Sequence, residues 1–355
     1  MLRTTLPDSR RSIAAWLIAC CALVFAMVVV GGVTRLTHSG LSIVEWQPVI
    51  GAVPPLDESA WQAEFDKYKL SPEYRQRNFD MTLAGFKGIF WWEYFHRLLG
   101  RVVGVAFLLP FLYFLARGAV RRPLAWRLGA IFVLGGLQGA VGWLMVASGL
   151  VDDPRVSSVR LAAHLGLAFL IYAAMLWVAL GLIAGKFERA PQGTVRFARV
   201  LAVLVFVMAL SGALVAGIHA GYAYNTFPLM NGQWIPDEIL MIEPWWKNFI
   251  FNMATVQLDH RALALLIAVC VATLWWRVRS DASSTARHRA WAHALLAAAA
   301  LQICAGIATL LARVPVPLAA IHQAGALALF TCAIGLAHAL QGGADYNGKG
   351  PSPGK

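Results

Sequence analysis

Charge is scarce in this chain. Only 14% of its 355 residues are charged and 18 are acidic, against 59% that are hydrophobic. A soluble domain needs more polar surface than this composition supplies, so the chain reads as an integral membrane protein. Cysteine is sparse as well: Cys20, Cys21, Cys270, Cys304 and Cys332 all fall inside apolar runs, which leaves no disulfide framework and no thiolate metal site to expect. Ten-residue segments of alternating polarity are missing, which speaks against a membrane β-barrel, whereas a helix satisfies its own backbone in lipid. No convincing small-residue cleavage site follows the first apolar run, so that run is expected to stay as a span. The residues before it are too few for a convincing transit peptide, which points to a bacterial inner membrane.

What is abundant is long hydrophobic sequence. Eight runs, near 13–33, 90–115, 125–148, 159–184, 197–218, 256–276, 288–311 and 317–339, are long enough to cross about 30 Å of hydrocarbon as helices. The formal charge of +12 suggests no nucleic acid, because the basic residues sit in short connections between runs. Arg3, Arg10 and Arg11 precede the first. Arg117, Arg121, Arg122 and Arg127 follow the second; Lys186, Arg189, Arg196 and Arg199 the fourth; Arg277, Arg279, Arg287 and Arg289 the sixth. By the positive-inside rule both termini are expected in the cytoplasm. The long connections, near 34–88 and 219–254, would then lie outside with Glu45, Asp57, Glu58, Asp237 and Glu243.

The chain also repeats itself. Glu93-Tyr94-Phe95-His96-Arg97 and Gln257-Leu258-Asp259-His260-Arg261 carry one His-Arg pair each, followed by Leu137, Gln138 and Gly142 in one case and Leu301, Gln302 and Gly306 in the other. Each pairing is offset by 164 positions (96 to 260, 138 to 302, 142 to 306). Gly31 and His38 match Gly212 and His219 at an offset of 181. A tandem duplication follows, with units 1–190 and 191–355. Four spans per unit is an even number, so both units enter the membrane alike, about an axis along its normal. The expected fold is all-α: eight transmembrane helices as two pseudo-symmetric four-helix bundles.

Four histidines, His96, His164, His260 and His322, occupy equivalent places near the outer ends of the even spans. Ionisable side chains at that depth are costly unless partnered. Haem iron takes one or two axial nitrogens from separate helices, while zinc or copper sites want three or four close ligands. Two histidines per bundle therefore suit one haem per half. Arg97 and Arg261 could pair with propionates, and Gly85, Gly88, Gly100, Gly104 and Gly325 could admit a porphyrin face. Plainer roles fit the same residues: packed histidines, arginines snorkelling to head groups, glycines for close helix contact. Trp46, Trp61, Trp91, Trp92, Tyr222, Tyr224, Trp234, Trp245 and Trp246, read as residues of the long connections, suit an interfacial belt or cover for a flat cofactor. His38 and His219 close odd spans at the same surface, and His288, His293 and His338 read as structural. The halves differ where Glu93 is answered by Gln257. A carboxylate there can move protons or stabilise positive charge, and glutamine cannot; a simple Glu93–Arg97 salt bridge is the alternative.

Taken together, Gly31-Gly32-Val33-Thr34-Arg35-Leu36-Thr37, Ser39-Gly40-Leu41-Ser42, the Glu93 and Asp259 motifs, Leu137-Gln138-Gly139, His164, Phe227-Pro228-Leu229-Met230 and His322-Gln323 make a chain that resembles the haem A synthase family over nearly its whole length. The likeness is to the proteobacterial and mitochondrial branch, since the loop cysteine pair of Bacillus-type enzymes is absent. The resemblance implies haem b, with its iron, held by His260 and His322 with Arg261 in the C-terminal half. It implies haem O as substrate near His96, His164 and Arg97, with Glu93, His96 and His164 as the catalytic set. The C8 methyl of haem O would become a formyl group through hydroxymethyl and gem-diol stages. Implied partners are haem O, membrane lipid and an electron donor to be identified, with a haem O synthase and a second copy of the chain as candidates, and no nucleic acid. The rival from the residues alone is a bis-histidine dihaem cytochrome that passes electrons from quinol. A parallel-repeat transporter is weaker, because it leaves the four histidines without a purpose.

Overall fold

The computed structural model describes residues 6–47, 50–184 and 188–342; Arg3 and Lys186, used above for orientation, lie outside them. Among the described residues eight helices are long and apolar enough to cross a membrane. In chain order the α-helices are α1 (Leu6–Leu36), α2 (Glu58–Lys69), α3 (Pro72–Gln76), α4 (Leu83–Ala116), α5 (Arg122–Ala147), α6 (Ser158–Ile183), α7 (Gln192–Gly217), α8 (Asn248–Phe251), α9 (Met253–Ser280), α10 (Ala286–Leu311) and α11 (Val316–Leu340). Among the described residues the only β pairing is an isolated bridge between Met230 and Gln233.

Local chemistry sets the ends of these helices. Thr82 Oγ1 accepts from the Gly85 amide at 3.2 Å, so α4 begins seven residues before the expected 90, and Trp91 and Trp92 stand two turns inside the helix rather than in the connection. Asn252 Oδ1 caps α9 by accepting from the Ala254 and Thr255 amides at 2.9 and 3.1 Å, and a Thr285–His288 capping box opens α10. Such caps satisfy amide groups that have no partner in the first turn. Pro110 lies inside α4 and has no N–H to give the carbonyl four residues back. That carbonyl, on Ala106, instead accepts from Trp16 Nε1 of α1 at 2.8 Å, which removes an orphan acceptor from the apolar interior.

Within the first half, α1 touches α4 and α6, and α5 touches α4 and α6; within the second, α7 touches α9 and α11, and α10 touches α9 and α11. Contacts of α1 with α11, and of α6 with both α7 and α11, join the halves. The buried core follows these four central helices, with Leu17, Phe169, Met175, Leu201 and Leu327 almost fully enclosed. Polar ties also cross between halves, among them the Tyr172 and Thr331 hydroxyls at 2.8 Å and Gln323 Nε2 donating to Val28 O at 2.6 Å. The first long connection is not irregular throughout, as α2 packs Trp61, Phe65 and Tyr68 against Phe86, Phe90 and Tyr94 of α4.

Candidate functional site

The four histidines stand on α4, α6, α9 and α11, and they fall into two pairs. His96 is within electrostatic range of His164, and His260 of His322. Each ring rests against a glycine of a neighbouring helix. A Cβ built on Gly31 would lie 2.9 Å from His96 Nε2, and on Gly142 2.7 Å from His164 Cε1. The matching values in the second half are 3.3 Å from Gly212 to His260 Cε1 and 2.8 Å from Gly306 to His322 Cε1. Only a residue without a side chain leaves room for the imidazole at the three tighter positions. Of the glycines expected to admit a porphyrin face, Gly88 and Gly104 border open space, with nothing within 4 Å, while Gly100 faces Met27, Gly85 faces Met81, and Gly325 faces the Gln302 amide.

Hydrogen bonds hold two of these rings or their backbones from α5 and α10. Gln138 Nε2 donates to the His164 carbonyl at 3.0 Å and lies 3.2 Å from its Nδ1, while Gln302 Nε2 donates to the His322 carbonyl at 2.9 Å. Ser211 Oγ lies 3.1 Å from His260 Nδ1. Ser211 also lines a cleft of about 250 Å³ with Val207, Leu210, Leu214 and Asp259. Four buried polar atoms have no hydrogen-bond partner at or beside these histidines: Gln138 Oε1, Gln302 Oε1, His322 Nδ1 and Arg261 Nε. Buried polar atoms are normally satisfied, so this cluster marks places where a further group belongs. Among the described residues no three His, Cys, Asp or Glu side chains gather as a cage for a bare metal ion. Paired imidazoles, bare glycine backbone behind them and orphan polar atoms beside them fit an iron porphyrin in each half.

Arg97 and Arg261 act as latches on the long connections. Arg97 donates to the Ile43 and Glu45 carbonyls at 2.6 and 2.8 Å; Arg261 donates to the carbonyls of Tyr224, Thr226, Pro228 and Leu229 at 2.9 to 3.3 Å. Each also pairs with the residue four positions back. Arg97 Nη2 meets Glu93 Oε1 at 2.7 Å, and Arg261 Nη2 meets Gln257 Oε1 at 3.1 Å. The Glu93–Arg97 salt bridge raised above is therefore present. Glu93 does more than pair, because its Oε2 accepts from Ser42 Oγ and the Ile43 amide, both at 2.8 Å. Gln257 inverts this polarity by donating to the Ala220 carbonyl at 2.8 Å. Near the Glu93 site, Trp143 stacks on Trp46 with ring centroids 5.7 Å apart and lies 6.0 Å from the Arg97 guanidinium.

His38 and His219 meet where the halves join, with ring centroids 6.4 Å apart and planes within 10°. Both have left-handed backbones, φ 52° and 59°, a conformation that commonly ends helices. Burial, and after it the nearby arginines, lower both imidazoles from their ordinary range. Arg35 of α1 donates to the Ala216 carbonyl at the same junction. His288 bonds the Ala339 carbonyl at 3.1 Å, His293 accepts from Trp275 at 3.0 Å and His338 packs edge-on against Trp177, all packing roles. All five cysteines are free.

Sequence reading found the histidines, Glu93 and the arginines. It noticed Gly31, Gly142, Gly212, Gly306, Gln138 and Gln302 only as marks of duplication, although recurrence beside the histidine motifs was a usable signal. Ser211 and Trp143 carried none.

The sequence profile of the cytochrome oxidase assembly protein family matches residues 14–334. Among curated relatives, a haem A synthase of Nitrosospira multiformis is 57% identical over 336 residues, 94% of each chain. One of Nitrosomonas eutropha is 53% identical over 91% of this chain and 92% of its own. One of Bradyrhizobium diazoefficiens is 50% identical over 91% and 90%.

Proposed function

The chain belongs to the cytochrome oxidase assembly protein family, and from that premise we propose how its two halves divide the work of a haem A synthase. It is a multi-pass membrane enzyme that oxidises haem O to haem A. The rival electron-transfer cytochrome finds no support among the relatives, which carry the synthase name.

In this reading residues 191–355 form the cofactor half, where His260 and His322 hold haem b and Arg261 keeps the 218–252 connection closed over it. Residues 1–190 form the substrate half, where haem O lies between His96 and His164. Bound haem b supplies a redox centre beside the substrate site. The observation that carries the division is the exchange of Glu93 for Gln257 at one repeat position. Both side chains reach the connection and the arginine, but only Glu93 is a carboxylate. A carboxylate beside the substrate can stabilise positive charge growing at the C8 methyl carbon and can hold a proton leaving it. Glu93, His96 and His164 are thus the catalytic set. Arg97 fixes Glu93 through Oε1 and ties the 43–45 backbone above it, excluding water from the reacting edge.

Two further parts of the reading concern placement. The matched sets of helix neighbours in each half support a pseudo-twofold relation between them. Arginines on the connections 117–122 and 277–289 support an inner-membrane orientation with both termini in the cytoplasm.

Haem analysis of single-histidine variants tests the division. Protein made in cells supplied with haem O should lose haem B on His260→Ala or His322→Ala. It should keep haem B but lose haem O and its products on His96→Ala or His164→Ala. The reverse pattern would exchange the halves and overturn the assignment.

A further inference from the structure

The four histidines are not held equally. His164 has Gln138 at its Nδ1, His322 has Gln302 on its carbonyl, and His260 has Ser211 at its Nδ1 at 3.1 Å. His96 makes no hydrogen bond among the described residues. The reason lies in the repeat: one residue before Gly212 stands Ser211, and one before Gly31 stands Val30. At the position where the helix that backs His260 carries a serine, the helix that backs His96 carries a valine, which has no hydroxyl to give.

Ring orientation follows the same split. His164, His260 and His322 turn Cε1 toward their glycines, whereas His96 turns Nε2 and Cδ2, at 2.9 and 3.1 Å from the Gly31 Cβ position. A half-turn about the Cβ–Cγ bond interconverts the two arrangements. Terminal sp³–sp² torsions of this kind are broad and roughly two-fold, so a hydrogen bond at the ring holds one face against the other; His322, whose Nδ1 has no partner, keeps the Cε1 face by its packing on Gly306 alone. Ser211 supplies that bond to His260, and nothing supplies it to His96.

We propose that Ser211 is a positioning residue that makes His260 a permanent axial ligand, and that Val30 in its place leaves His96 a ligand that turns, so that the group held there is exchanged. The proposal rests on the division of halves given above and adds its structural cause. A cofactor has to stay and a substrate has to leave as product, and one side chain on equivalent helices distinguishes the two. Were His260 to hold iron through Nε2, Nδ1 would carry the proton and would donate to Ser211 Oγ, which would fix the ring and strengthen it as a donor.

The test uses the full-length protein in detergent, loaded with haem B, with transfer of haem to apomyoglobin and the reduction potential as readouts. Loss of such an outer partner typically weakens metal affinity about 10- to 100-fold. Ser211→Val is expected to speed haem B release by about tenfold or more and to raise the potential, and Ser211→Thr, which keeps the hydroxyl, to restore both. If the valine variant is not recovered folded, Ser211→Ala carries the same expectation. Val30→Ser, loaded with haem O, should slow its release. Wild-type release and potential in Ser211→Val or Ser211→Ala would overturn the proposal. His260→Ala separates the two layers: if it retains haem B while His96→Ala loses it, the division of halves is wrong. If it loses haem B and the Ser211 variants behave as wild type, only the positioning role is wrong.

Discussion

Replacing Gly306 by alanine tests the glycine backing of the histidines most sharply. The new Cβ would lie 2.8 Å from His322 Cε1, 3.3 Å from Nδ1 and 3.5 Å from Nε2. Carbon atoms pack best about 3.5 to 4.0 Å apart, so the ring has to retreat by roughly 0.7 Å or α10 and α11 have to separate. Metal–ligand distances tolerate about 0.2 Å, so the retreat is several times what an axial bond allows. Overpacking of this size costs about 1 to 3 kcal/mol, which corresponds to roughly a 5- to 150-fold loss of affinity. Alanine is the better helix former by about 0.5 to 1 kcal/mol, and without iron to meet the imidazole is free to turn away, so the apoprotein should lose less stability than the site loses affinity. The assay is the ratio of haem to protein after purification, beside the thermal midpoint of the apoprotein. Gly306→Ala and Gly142→Ala should each empty the site they back with little change in the midpoint. Gly212→Ala, whose Cβ would press on His260 Cε1 at 3.3 Å and so ask a retreat of only about 0.2 Å, should lose much less haem. Full haem content with an unchanged spectrum in Gly306→Ala would refute the reasoning.

Two other outcomes follow from the connection and the carboxylate above it. Glu93→Gln, which gives the first half the second half's residue, should cut haem A formation about 100-fold or more while haem B content stays the same; activity within about threefold of wild type would remove Glu93 from the catalytic set. Burial lifts the Glu73 carboxyl of α3 from 4.5 to about 7, with nearby Glu93 adding and the Tyr68 hydroxyl opposing. The folded chain then binds more protons than the unfolded chain between those values. This contribution to stability is fully present below about 4.5, falls as pH rises to about 7 and is flat beyond. Its size is at most on the order of 3 kcal/mol. The thermal midpoint of Glu73→Gln should lack this slope between those limits; the same slope in both proteins would show that another group causes it.

Much of the site was legible because duplication printed it twice. Chance does not reproduce His-Arg and Leu-Gln-x-x-x-Gly at one spacing, so His96, His164, His260, His322, Arg97 and Arg261 could be picked out without coordinates. The contrast of Glu93 with Gln257 was legible for the same reason, since a repeat supplies its own reference. The first long connection was read as a loop because α2 and α3 are short and polar outside, and their amphipathic face, Trp61, Phe65 and Tyr68, has meaning only once α4 is there to receive it.

The number and extent of the spans belong to the sequence alone. Lipid offers no hydrogen bonds and has a fixed thickness, so length and hydropathy of a run suffice to make it a spanning helix. Which residues face one another does not follow from length or hydropathy. That Gly142 lies under His164, that Ser211 reaches His260 and that His38 meets His219 depends on how each helix is turned about its axis and which neighbour it packs against. Those rotations were decided only in the tertiary structure, by close approach at glycine and by the need to partner polar atoms away from water.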